Sequence, residues 1–92
     1  DKGISVGEKS KMFISKIEVS NSEIGIASKD SSLTKLKDAK FENAKTCLAA
    51  YNKKKEFYGG IIEIEKMNCE NYVNKIDFDK FSIIKEVGSV SQ

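Results

Sequence analysis

The stretch from Leu33 to Glu56 constrains this chain more than any other. Its apolar residues Leu33, Leu36, Phe41, Ala44, Cys47, Leu48 and Tyr51 recur near a 3.6-residue period and share about a third of a helical circumference. Asp38, Glu42, Lys45, Ala49 and Lys53 fall away from that face. Lys37 and Lys40 intrude on it, so the spacing predicts a helix best formed over residues 38–55. Ser32 or Asp38 can cap its start. Lys53-Lys54-Lys55 opposes the negative pole of its dipole, and Gly59-Gly60 is a strong stop.

The flanking segments carry a different period. In residues 11–20, Phe13, Ile17 and Val19 alternate against Met12, Ile14, Lys16 and Glu18, which predicts a strand. Asn21-Ser22 breaks it, and Ile24 and Ile26 alternate with small residues as a weaker second strand, giving a β-hairpin. Residues 61–67 form the clearest strand, with Ile62 and Ile64 inward and Glu63 and Glu65 outward. A turn at 68–71 and a kinked strand over 78–87 complete the order. No internal repeat is read. The expected fold class is α+β: a small antiparallel sheet of β-β-α-β-β order, with one amphipathic helix packed on one face. Residues 1–10 are read as a flexible lead-in, 11–87 as one domain and 88–92 as a tail.

Ninety-two residues bury a thin core, and such cores gain from a cross-link. The two cysteines, Cys47 and Cys69, are therefore expected to form a disulfide. The alternative is two buried free thiols. In the helix–sheet arrangement the bond is awkward. Cys47 would lie about 12 Å before the helix end, and Cys69 about 26 Å along the returning strand.

The chain has no His, Trp, Pro or Arg, and all sixteen basic residues are Lys. Without His the common catalytic triads and mixed zinc sites are gone, and no Cys-x-x-Cys is present. No enzyme activity, cofactor, metal or small-molecule substrate is expected, and no catalytic residue is assigned. Glu63 with Glu65 and Asp77 with Asp79 are carboxylate pairs of the kind that hold Ca²⁺ or share protons. The polar outer face of a sheet accounts for them better. Lack of Arg argues against reading of nucleic-acid sequence. Residues 35–56 carry a local charge of +4 and residues 57–92 a charge of −2. A Lys-rich helix could meet nucleic acid or an anionic membrane, but a net charge of +2 gives weak counterion release.

A protein partner is the favoured expectation. Phe57 and Tyr58, beside Lys53, Lys54 and Lys55, are candidate interface anchors. The edge carrying Ile24 and Ile26 lacks a guarding Lys or Pro and could accept a strand. The first reading is a non-enzymatic, extracytoplasmic (periplasmic or surface) binding module that docks on a larger envelope protein. The chain starts at Asp1, which suits a removed leader or an upstream lipid tether as well as an excised fragment. No membrane span is present in the sequence. The second reading is a cytoplasmic adaptor with free Cys, paired as a homodimer. The third is the Lys-rich helix on nucleic acid or anionic membrane.

Overall fold

The computed structural model describes residues 2–91 and contains strands only, with no helix among the described residues. They are β1 (Lys2–Val6), β2 (Lys11–Lys29), β3 (Leu33–Tyr51), β4 (Ile61–Glu70), β5 (Asn74–Phe78) and β6 (Ile83–Glu86). Every pairing between them is parallel. The α+β expectation is therefore wrong in both halves: the 33–56 helix is a strand and its loop, and the sheet is not antiparallel.

A straight 19-residue strand would run about 60 Å, yet the longest dimension of the molecule is 34 Å. β2 and β3 must each turn a corner. They do so at Asn21 and Asn43, whose φ values of 57° and 58° lie in the left-handed region. Asn71, after β4, has the same conformation at 55°. Asn tolerates that region better than most side chains because its short amide can bond locally. The side chains also stack, with Asn43 Nδ2 donating to Asn21 Oδ1 at 3.0 Å.

The register shows what the corners build. Lys2 pairs with Ile24, Lys11 with Leu33, Ile24 with Thr46 and Ile61 with Ile83, each 22 residues on. Leu33 pairs with Ile61 and Thr46 with Asn74, 28 residues on. The chain winds as a parallel β-solenoid of 22-residue coils, one of which carries six extra residues. The repeat was not read from the sequence because that insertion shifts the phase after Asn52. The segment read as a lead-in contains β1. Residues of the expected tail lie back against the outer face, where Lys35 Nζ donates to the Ser91 carbonyl at 2.6 Å.

Two walls face each other across the core. Leu36, Ala39, Phe41, Ile62 and Ile64 come from one, and Ile26, Ala44, Cys47, Leu48 and Ala50 from the other. One contact recurs in successive coils at equivalent positions. A Cβ on Gly3 would lie 2.6 Å from Val19 Cγ1, and a Cβ on Gly25 would collide with the Phe41 ring. In the next coil the corresponding residues are Cys47 and Cys69, and they are joined as a disulfide with Cα atoms 6.5 Å apart. Cys69 sits in register on Phe41. The axial mismatch of the helix–sheet arrangement disappears with the helix.

The outer faces explain the lysines. In-register stacking brings equivalent side chains of adjacent coils together, and like charges directly opposite are destabilising. Three columns alternate in sign, Lys16–Asp38–Lys66, Lys35–Glu63–Lys85 and Glu18–Lys40, whereas Glu42 lies in register with Glu70. Lys85 Nζ lies 3.5 Å from Glu63, and Lys45 Nζ lies 3.5 Å from Glu23. Such exposed pairs contribute about 0–1 kcal/mol each, so their role is to make stacking tolerable. The +4 segment is thus not a basic helix face.

The recurring cross-core contact gives a direct test. Gly25→Ala should cost about 1–3 kcal/mol through overpacking against Phe41 and the Cys47 carbonyl. Gly7→Ala, which meets nothing within 4 Å, should stay within about 0.5 kcal/mol of the parent. Urea unfolding of both variants with the disulfide intact measures the difference.

Candidate functional site

The six extra residues, 53–58, form a loop at the solenoid corner after β3, and buried side chains fix its roots. Asp30, with φ 53°, is the turn residue of the preceding coil and is 1% exposed. Its Oδ1 accepts from the backbone N–H groups of Lys53 (2.7 Å) and Lys54 (2.9 Å). Asn52 lies 22 residues beyond Asp30 and fills the inside of the loop. Its Nδ2 is 2.8 Å from the Phe57 carbonyl and 2.9 Å from that of Tyr58. Asp79 takes the Asn52 N–H on Oδ2 at 2.7 Å and the Ser82 hydroxyl on Oδ1 at 2.7 Å. Tyr58 N donates to Ser31 Oγ, and Ser31 N donates to the Tyr58 carbonyl, each at 2.8 Å.

Burial alone would push both carboxyls up. For Asp30 the N–H groups of Lys54 and Lys53, with the charges of Lys29 and Lys54, outweigh it and hold the group below its ordinary value. Asp79 is lowered in the same way by the Asn52 N–H, the Ser82 hydroxyl and the Phe81 N–H. Lys54 pairs with Glu8, two coils back, and that partner raises its ammonium pKa. Lys9 Nζ stands 5.7 Å from the Phe57 ring centre. The loop therefore folds along the corner towards the start of the solenoid.

No protein-family model, curated protein or solved structure matches the chain.

The loop gathers five of the residues singled out from the sequence and separates their roles. Phe57 is half-buried under Lys9, whereas Tyr58 is 83% exposed. Lys53 and Lys55 are exposed, and Lys54 is engaged by Glu8. Cys47 and Cys69 lie in the core, away from the loop. Ile24 and Ile26 do not border an open edge. Ile24 is flanked by Lys2 and Thr46, and Ile26 by Ile4 and Leu48, so the proposed strand-accepting edge is already paired on both sides. The carboxylate pairs do not converge either: Glu63 faces Lys85, Asp77 is exposed on β5 and Asp79 serves the loop.

Sequence reasoning read Asp79 only as half of a carboxylate pair, and it missed Asp30 and Asn52. Their signal was positional, since Glu8, Asp30 and Asn52 recur at 22-residue steps before each turn. A shallow hollow of about 280 Å³ on the outer face, lined by Lys11, Met12, Phe13, Leu33 and Lys35, brings together apolar groups and ammonium groups with no acid or nucleophile among them.

The lowered carboxyls set a pH dependence. A folded value below the unfolded one, about 3.9 for Asp, stabilises the fold above that pH. The contribution is lost as pH falls through the folded value. Thermal unfolding from pH 6 to pH 2 should show this loss below about pH 4. Asp30→Asn should cost about 1–3 kcal/mol at neutral pH and flatten the acid limb of the curve.

Proposed function

We propose that this chain is a non-enzymatic binding module of an oxidising, extracytoplasmic compartment, which presents the 53–58 loop to an acidic surface on a larger envelope protein. The observation that carries this reading is Tyr58, 83% exposed on a loop whose backbone is clamped by Asp30, Asn52 and Ser31. A loop held in one conformation before binding loses little entropy when it docks. Tyr gives large contact area with few rotatable bonds, which is why it recurs as an interface anchor. Lys53 and Lys55 flank it without a salt-bridge partner among the described residues, which favours an acidic partner.

The bonded cysteines support an oxidising compartment, because such bonds persist where thiols are oxidised. The same bond counts against the free-thiol adaptor. The non-enzymatic reading rests on the residues themselves. There is no His, both thiols are engaged, and the buried Asp30 and Asp79 are committed to hydrogen bonds that lower their basicity. A general base working near neutrality needs the opposite shift. No helix of the described residues is long and apolar enough to cross a membrane. The reading of a Lys-rich helix on nucleic acid or membrane has lost its helix.

Two measurements test the proposal. The chain recovered from its native compartment should show no free thiol by mass spectrometry, and a yield of two free thiols removes the compartment. With a photoreactive residue in place of Tyr58, irradiation in the native host should give one discrete cross-linked protein. Lys53→Glu with Lys55→Glu should reduce that product by about tenfold, the loss of roughly 1.4 kcal/mol of binding. An equal yield from the charge-reversed chain sinks the acidic-partner reading.

A further inference from the structure

The covalent path of the chain sets the 53–58 loop apart from the other exposed segments. Cys47 precedes the loop and Cys69 follows it, so the disulfide closes a ring that contains the whole insertion. β1, β2 and β3 come before the loop in sequence, and β4, β5 and β6 come after it. The two groups interlock. β4 stacks on the first half of β3, from Leu33 to Glu42, and β5 on its second half, from Thr46 to Ala50. A break in the loop therefore parts no strand pair.

The loop is also where the lysines are open to attack. Apart from Lys9, Lys80 and the three of the loop, every lysine lies within a strand. Paired backbone cannot enter an endopeptidase cleft unless the strand first opens. Lys9 and Lys80 sit in tight turns. The Lys9 N–H donates to the Asp30 carbonyl at 3.0 Å, and the Lys80 turn is closed by the Ser82 N–H on the Asp79 carbonyl at 3.1 Å. Lys53, Lys54 and Lys55 follow one another on the insertion and are exposed. The clamp engages Lys53, Lys54, Phe57 and Tyr58. It leaves the Lys55–Glu56 peptide at the tip, where the Phe57 N–H closes the turn on the Lys54 carbonyl at 3.1 Å. Exposed loop tips are where folded chains are nicked. From this we infer that the loop is a processing site for a lysine-specific endopeptidase, and that the cut product is a stable two-chain protein held by Cys47–Cys69. Hydrolysis adds one water across the Lys55–Glu56 bond. Lys55 gains a carboxylate, Glu56 gains an α-amino group, and no other bond breaks. The cut puts Lys53-Lys54-Lys55 and Tyr58 on different chains, so the loop stops presenting them as one clamped unit. The inference stands on the loop and the disulfide, whatever the loop docks on.

Limited digestion of the folded chain with lysyl endopeptidase tests this. Early in the reaction the unreduced product should be one species, heavier than the parent by one water. Reduction should split it into two fragments, the second beginning within residues 54–56. Before reduction it should keep a strand-type circular dichroism spectrum and a cooperative urea transition. A variant with Lys53→Gln, Lys54→Gln and Lys55→Gln, all at exposed positions, should be cut at least about tenfold more slowly. A retained disulfide and the parent's spectrum confirm that this variant is folded. A first cut outside the loop, an unreduced product that has unfolded, or a triple variant cut as fast as the parent would each overturn the inference.

Discussion

Parallel stacking in register is the constraint on which everything else in this molecule depends. Each residue in a wall lies over the one 22 or 28 positions earlier, so a column, rather than a local neighbourhood in sequence, decides which side chains are acceptable. The aliphatic column Ile4–Ile26–Leu48–Ile76 fills the core because every member faces inward at one height of the coil. Three charged columns alternate in sign for the complementary reason, and Glu42 on Glu70 is the exception. A residue suited to its own strand but not to its column would be destabilising, which is how a chain with a third of its residues charged folds into two flat walls.

The same constraint makes the cysteine pair intelligible. Across the core, one position holds Gly3 against Val19, then Gly25 against Phe41, then Cys47 against Cys69. The large side chain reaches into space that a Cβ would occupy, and Gly supplies it. In the third coil the contact becomes covalent. Gly60 answers a related need: a Cβ there would collide with the Ser28 carbonyl. Close approach therefore accounts for that glycine, where the sequence reading saw a helix stop. Beneath it, Ser28 accepts from Ser32 and Thr34 and donates to the Ile61 carbonyl, so the buried hydroxyls at the turn are satisfied.

The sequence made part of this legible. The strand at 61–67 and its inward Ile62 and Ile64 were readable from alternation, and the cysteine pairing was reached from parity and core size. The helix was misread for a physical reason. A corner interrupts the alternation of a solenoid wall, so the buried residues Leu36, Phe41, Ala44, Cys47 and Leu48, drawn from both walls, also fall within one face of a helical projection. Lys37 and Lys40, which spoiled the helical face, were the clue, since both point to solvent in a strand. Comparing the chain with itself at a 22-residue offset would have aligned Gly3-Ile4 with Gly25-Ile26 and Asn21 with Asn43. The loop residues were noticed for their chemistry, but their anchors Asp30, Asn52 and Asp79 are joined only by the winding of the chain.

Why the covalent bond falls in the third coil can be argued from magnitudes. That coil contains the six-residue insertion, and the obvious explanation is that a longer coil costs more entropy to close. Lengthening a closed segment from 22 to 28 residues adds only about 0.2 kcal/mol, whereas a disulfide of this span contributes about 3 kcal/mol. The insertion is too cheap to require the bond. The bond joins the two walls directly within the coil that carries the loop, Cys47 on one wall and Cys69 on the other. It therefore holds the frame from which the loop projects.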